Sequence, residues 1–309
     1  MYDSIKIELE NSGLKEDNFL SLAAMFDTAK EKENEYTGEP YILGSVGSMK
    51  AVASKYKLFL NGSICKYYLG DNFQTLGRAD TKRAIEMLSD KLHLNIAAGT
   101  VRRADFGTNI ITKEPPPNYL PQMGMLARYS RELYNPYTLY YKTNDRVLCF
   151  YDKNKEVIAS HGTPPEIYND RNVLRYEIRY LHRLAKYFRQ EQVTAQNLSD
   201  AGFYDTLLKE WKSFYQSIIK EKNMSLNFEK VNGLKDYYSA LAAEHIKNIG
   251  ATAALEQVTA AQRAGNLKPD AAKDIKRLIK KVSQSPDLAT DNPLMAELET
   301  KIKQAAMFG

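Results

Sequence analysis

Two stretches of this chain alternate apolar and polar side chains with the period of a strand. The runs Leu148–Lys153 and Val173–Tyr180 each sort their side chains onto two faces. In the second run Leu174, Tyr176, Ile178 and Tyr180 share one face, and Arg175, Glu177 and Arg179 share the other. In the first, Tyr151 and Lys153 lie opposite Phe150. Met1–Glu10 alternates too, which predicts a first strand rather than a signal peptide. Thr100–Ile111 and Asn172–Tyr180 predict further strands. Lys55–Leu60 and Ile64–Leu69 predict a hairpin around Asn61–Gly62–Ser63, and Tyr137–Tyr141 with Arg146–Tyr151 a second around Lys142–Asp145.

Helical spacing comes next. Lys15–Lys32 carries Phe19, Leu22, Ala23 and Phe26 at helical intervals, and Asp80–Leu92 carries Ala84, Ile85, Leu88 and Leu92, with Asp80 as N-cap. Glu114–Pro117 breaks the chain, and His161–Pro165 is a loop. Past residue 181 the strand pattern stops. Helices are expected over Ala201–Lys222, Gly233–Lys247, Ala251–Ala264, Pro269–Val282 and Leu294–Ala306. Thr259–Ile279 has the form of a helix–turn–helix, a form any two short helices around a glycine share. The expected fold is α+β: a central antiparallel sheet domain over residues 1–190, then a helical domain over 191–309.

Composition adds bounds. The 309 residues are 43% hydrophobic, enough for a real core and for two domains. No apolar run reaches the ~18 residues of a membrane span. Cys65 and Cys149 have no ligand spacing and read as buried thiols in a reducing compartment. His93, His161, His182 and His245 form no pair, which disfavours a histidine metal site. The net charge of +5 is mild. The cations cluster, however: Arg171, Arg175, Arg179, Arg183, Lys186 and Arg189 in one stretch, and Lys268, Lys273, Lys276, Arg277, Lys280 and Lys281 in another. Either cluster suits nucleic acid or a solvated face. The 21 tyrosines suit strands and base stacking alike.

The candidate chemistry lies on the strands. A tyrosine, a lysine and a carboxylate flanked by arginines have the parts for attack on a phosphodiester: the hydroxyl as nucleophile, the carboxylate as metal holder, the cations against phosphate charge. Lys153 is expected to share a face with Tyr151, lowering its phenol pKa or holding the scissile phosphate. Alternation puts Arg103, Asp105 and Asn109 on one face of Thr100–Ile111. Asp105 suits a metal ion or a structural pair with arginine, and Glu177 has the same two readings. Oxygen ligands would favour Mg²⁺ or Mn²⁺. No Walker motif and no Gly-rich dinucleotide loop occurs, which argues against a nucleotide hydrolase.

These runs together resemble the gene II/X family of phage and plasmid replication proteins, the rolling-circle initiators of filamentous phages, and the replication initiators of small Gram-positive plasmids. The matching segments are Asn61–Asn72, Val101–Asp105, Thr138–Tyr141 with Phe150–Lys153 and Glu156, and Leu174–Arg179. The resemblance implies a site-specific endonuclease that nicks one strand of a duplex origin, stays joined to the 5′-phosphate through tyrosine, and later rejoins the ends. By position Tyr151 matches the nucleophile, Lys153 its neighbouring lysine, and Asp105 and Glu177 the acidic positions assigned to a divalent Mg²⁺ or Mn²⁺. Arg103, Arg175, Arg179 and Lys66 are the expected DNA contacts. The fold is similar to that of the His-hydrophobic-His nickases and relaxases, whose histidine pair is missing here.

Expected partners are origin DNA, double- and single-stranded, with host helicase and polymerase, no membrane, and homodimerisation left open. The expected location is the bacterial host cytoplasm. The helical half is assigned to origin or partner binding. Tyr140, Tyr141 and Tyr176 stay open as substitutes for Tyr151, and Asp145 as a third ligand or a turn residue. The rival readings are a non-catalytic origin-binding replication factor of the same fold and an RNA-binding sheet protein.

Overall fold

A computed structural model of the chain describes residues 1–10, 19–224, 231–285 and 289–308. Ten strands form its frame: β1 (Tyr2–Glu10), β2 (Thr28–Glu33), β3 (Pro40–Val46), β4 (Met49–Ala53), β5 (Lys57–Ser63), β6 (Thr100–Thr112), β7 (Ser130–Tyr134), β8 (Thr138–Lys142), β9 (Arg146–Asp152) and β10 (Asn172–Tyr180). They make one sheet in the order β2-β3-β4-β5-β1-β6-β10-β9-β8-β7, antiparallel at every pairing. The helices are α1 (Ile64–Leu69), α2 (Arg78–Leu92), α3 (Pro116–Tyr119), α4 (Lys153–Ala159), α5 (Leu184–Tyr187), α6 (Ala201–Ser217), α7 (Leu234–Ile249), α8 (Ala251–Arg263), α9 (Pro269–Ser283) and α10 (Pro293–Phe308). The α+β class is therefore as expected. None of these helices is long and apolar enough to cross a membrane.

One face of the sheet is apolar because the alternation of β9 and β10 puts Phe150, Tyr176, Ile178 and Tyr180 there. α6 covers it with a stripe of Phe203, Tyr204, Leu207, Trp211 and Tyr215. Asp200 starts that helix by accepting the Phe203 N–H at 2.8 Å. Phe150 stacks on Tyr176 at 4.2 Å, and Tyr176 stacks on Trp211 at 4.8 Å. The Tyr176 hydroxyl donates to the Trp211 carbonyl at 2.8 Å, and the Trp211 indole N–H donates to the Tyr176 carbonyl at 3.2 Å. Stacking and reciprocal hydrogen bonds thus dock α6 at one register.

Several expectations need correction. The hairpin around Asn61–Gly62–Ser63 does not form: β5 runs straight through to Ser63, and Ile64–Leu69 is α1, capped by the Ser63 hydroxyl accepting the Lys66 N–H at 3.0 Å. The hairpin there is β4 with β5. The helix expected over 15–32 is a 3-10 turn at Phe19–Met25 followed by β2, while 15–18 lie outside the described residues. The N-cap of α2 is Gly77, with Asp80 in its first turn. α6 stops at Ser217 because Ile218 turns extended (φ −68°, ψ 130°). The boundary expected at residue 190 is not where the cores part. Trp211 and Tyr215 of α6 and Met295, Leu298 and Ile302 of α10 belong to the sheet's core, whereas α7, α8 and α9 share a small cluster around Ala243, Ile246 and Ile279. An amphipathic stripe reports that a helix has a partner, not which one.

At the centre β6 and β10 approach closely. A Cβ at Gly107 would lie 2.2 Å from the Tyr176 carbonyl oxygen and 2.5 Å from the Glu177 Cα. Both are backbone positions in mid-sheet, so relief requires the strands to separate. Gly107→Ala should lower stability by about 1–3 kcal/mol, the usual cost of overpacking. A wild-type urea midpoint for that variant would contradict the close approach.

Candidate functional site

Strand register assembles the polar face. β10 pairs with β6 so that Arg175 faces Asn109, Glu177 faces Gly107 and Arg179 faces Asp105. On its other side β10 pairs with β9, setting Tyr151 beside Arg175 and Cys149 beside Glu177. β8 extends the row with Tyr140 opposite Cys149. Directly opposed residues share a face, and Arg103 joins Asp105 two positions along β6, so the tyrosine, both expected acids and the three expected arginines meet on the side away from α6.

Arg175 is the hub, buried and with its donors engaged. Its Nε donates to Glu177 Oε2 at 2.7 Å, Nη2 to Asp3 Oδ2 at 2.7 Å, and Nη1 to Asn109 Oδ1 at 3.1 Å and the Asn72 carbonyl at 3.2 Å. The register of β1 on β6 slips between Tyr2 and Ile5, the kind of irregularity that re-aims side chains. Tyr2 packs on Phe106 while Asp3 reaches Arg175. Arg179 holds the second oxygen of Glu177, Oε1, at 2.7 Å. Arg103 grips Asp105 with a two-pronged fork of 2.9 and 2.7 Å.

Charge settles the protonation states. Burial alone would raise Glu177, but Arg175 and Arg179 outweigh it and hold the carboxyl below its usual value. Asp3 is lowered in the same way: Arg175 and the Ser63 hydroxyl overcome its burial. Asp105 goes the other way. Its burial exceeds the pull of Arg103, the Glu177 charge adds to it, and the carboxyl is pushed up to about 6.

Tyr151 is 7% exposed and borders a cleft of about 340 Å³ shared with Tyr134, Tyr137, Tyr140, Lys155 and Arg179. Its hydroxyl donates to Glu177 Oε2 at 3.4 Å. Burial, reinforced by the Glu177 charge, raises its pKa well above the usual value. Lys153 does not supply the expected relief. β9 ends at Asp152, and Lys153 is the first residue of α4, capped by Asp152 accepting the Lys155 N–H at 3.0 Å. The strand alternation that would align Lys153 with Tyr151 therefore stops one residue short. The Lys153 ammonium is buried, bonds Glu156 at 2.7 Å and lies over Phe73 at 5.4 Å. Lys66 sits exposed on α1 and makes no ion pair among the described residues. Tyr141 and Tyr176 are buried, Tyr176 on the apolar face, whereas Tyr140 stays half-buried on the Tyr151 face. Asp145 is at the β8–β9 turn, 3.8 Å from Arg183. Cys65 and Cys149 are both buried and unpaired.

The two acids as arranged do not fit a divalent ion. Asp105 and Glu177 each have both oxygens on guanidinium groups, and no three His, Cys, Asp or Glu side chains converge among the described residues. Asp3 and Asn72, which sequence reading passed over, complete the network instead. Their partner Arg175 is distant in sequence, so no local spacing marks them.

The raised Asp105 pKa makes a stability prediction. The carboxyl titrates near 3.8 when unfolded and near 6 when folded, so its contribution is fully present below about pH 4 and is lost as pH rises through about 6. The difference is worth about 3 kcal/mol. Relative to wild type, Asp105→Asn should gain up to that amount between about pH 4 and pH 7 in urea titrations. A constant difference across that window would assign the carboxyl an ordinary pKa.

No curated protein matches the chain. A family model for the N-terminal part of the phage gene II replication-associated protein matches residues 1–199, a span that holds all ten strands of the sheet and every residue of the arginine–carboxylate network. With well over half of its length matched, the chain belongs to the phage gene II replication-associated protein family.

Proposed function

We propose that the chain initiates rolling-circle replication by nicking one strand of origin DNA and rejoining it through Tyr151. The supporting observation is the juxtaposition on three neighbouring strands: a tyrosine hydroxyl 3.4 Å from a carboxylate oxygen, beside Arg175 and Arg179, within the family-matched span. In the forward step the Tyr151 oxygen bonds to phosphorus and the bond from phosphorus to the 3′-oxygen breaks. The phenolic proton, which the hydroxyl directs at Glu177 Oε2, is relayed through water to the departing 3′-oxygen, which leaves as a hydroxyl. A phosphotyrosine keeps the energy of the broken ester, so the reverse step needs no nucleotide cofactor. Arg179, partly exposed at the cleft, is the cation best placed to meet an entering phosphate. Arg175 and Arg103 position the carboxylates. Tyr134, Tyr137 and Tyr140 offer ring faces to unpaired bases.

Duplex contact falls to the helical segment. α9 exposes Lys273, Arg277, Lys280 and Lys281, and the Gly265 turn (φ +76°) joins it to α8. The setting is the host cytoplasm, where helicase and polymerase would extend the free 3′ end.

One observation favours the rival reading, a non-catalytic origin-binding factor: the deep burial of Tyr151 and its raised pKa suit a core hydroxyl. A single assay separates the two. Labelled single-stranded oligonucleotides tiled across the presumed origin should yield a protein-linked 5′ product on a denaturing gel. Tyr151→Phe should reduce that product at least a thousand-fold and leave DNA affinity within about twofold, since a lost nucleophile removes chemistry rather than binding. Full adduct formation by Tyr151→Phe removes Tyr151 as nucleophile. DNA binding by wild type with no adduct on any tile selects the binding factor.

A further inference from the structure

A second basic cleft, of about 570 Å³, opens at the far end of β9 and β10. Arg146 begins β9 and pairs with Tyr180, the last residue of β10, so it emerges on the α6 side of the sheet, not the Tyr151 side. The cleft is lined by Arg128, Arg146, Arg183 and Lys186, with His182 beside them. Arg183 and Lys186 are at its rim, Arg183 exposed.

The charge here is not spent, unlike that of the first site. The Arg146 guanidinium lies 4.0 Å from the centre of the Tyr187 ring and 5.2 Å from that of Phe214, and it makes no ion pair among the described residues. Its Nε and the hydroxyl of the neighbouring Tyr129 are both buried without a hydrogen-bond partner. Two carboxylates stand near. Asp145 is 3.8 Å from Arg183, and Glu210 is already bonded to the Tyr180 and Tyr187 hydroxyls at 2.8 and 2.7 Å. Four permanent cations against one loosely paired lining carboxylate leave the cleft positive. Aromatic rings with convergent cations are the makeup of a single-strand site, where bases stack and phosphates pair.

We propose that this cleft binds the backbone of single-stranded DNA flanking the point of cleavage. The proposal rests on the reading of the chain as a DNA-nicking protein and adds a second contact for the same strand. Arg146 and Tyr151 are five residues apart on one strand, about 17 Å at strand rise. A strand leaving Tyr151 therefore passes around the end of β9 to reach the cleft, and the sheet separates chemistry from grip. The contacts are to phosphate and ring faces, so binding is insensitive to sequence and sensitive to salt.

The test is fluorescence anisotropy of the full chain with a labelled single-stranded oligonucleotide of about 30 nucleotides, comparing wild type with Arg183→Gln/Lys186→Gln and with Arg146→Gln. Removing two phosphate contacts should weaken binding about tenfold near 0.1 M salt and make the log–log salt slope shallower by about 1.4. The Arg183→Gln/Lys186→Gln variant keeps its fold because both side chains stand at the rim and neither belongs to the core. Unchanged affinity and slope in that variant overturn the cleft. Tighter binding of an RNA of the same sequence overturns the choice of DNA. The adduct assay separates this from the nicking reading. Weakened binding in the variant while wild type never forms an adduct upholds the cleft and sinks the tyrosine chemistry. Normal adduct formation by wild type with unchanged binding in the variant does the reverse.

Discussion

Everything on the polar face depends on the buried guanidinium of Arg175. One planar fork reaches β1 through Asp3, β6 through Asn109, its own strand through Glu177 and the 70–76 loop through the Asn72 carbonyl. Only arginine presents that many donors in fixed directions. A buried cation is tolerable only if it is matched, and removal of one partner from such a set commonly costs about 3–5 kcal/mol. Asp3 and Glu177 match it, Arg179 absorbs the rest of Glu177, and Arg103 neutralises Asp105. The geometry of Tyr151 follows, because the oxygen it addresses is one that Arg175 holds in place.

How far this was legible in the sequence depends on the range of each interaction. The alternation of Val173–Tyr180 states directly that Arg175, Glu177 and Arg179 share a face, and β10 has the expected bounds. The pairing of Asp105 with Arg103 is two residues long and could be named in advance as one of two readings. The link from Asp3 to Arg175 joins the two ends of the matched span, and nothing local announces it. β2 escaped because Thr–Ala–Lys–Glu–Lys–Glu offers no apolar alternation. α4 escaped because its capping residue, Asp152, is also the last residue of β9, and the strand pattern alone does not show that a helix follows.

The basic run from Arg171 to Arg189 reads as one cluster along the chain and as several places in space. Arg175 and Arg179 serve the carboxylates on one side of the sheet, while Arg183 and Lys186 border the cleft on the other. β10 ends at Tyr180, and beyond it the chain leaves strand geometry, with Arg183 at φ +57°. Strand periodicity sorts charges onto faces only while the strand lasts.

The sheet also has to end somewhere. β2, its outermost strand on one side, is exposed at every position and carries Lys30, Glu31, Lys32 and Glu33 in succession. Its outer backbone donors and acceptors would template an eleventh strand from another molecule, the usual route to edge-to-edge aggregation. Alternating lysine and glutamate keep those groups hydrated and make an approaching strand desolvate charge on both faces. The plain polar sequence that hid β2 from pattern reading therefore disfavours strand addition at that edge of the sheet.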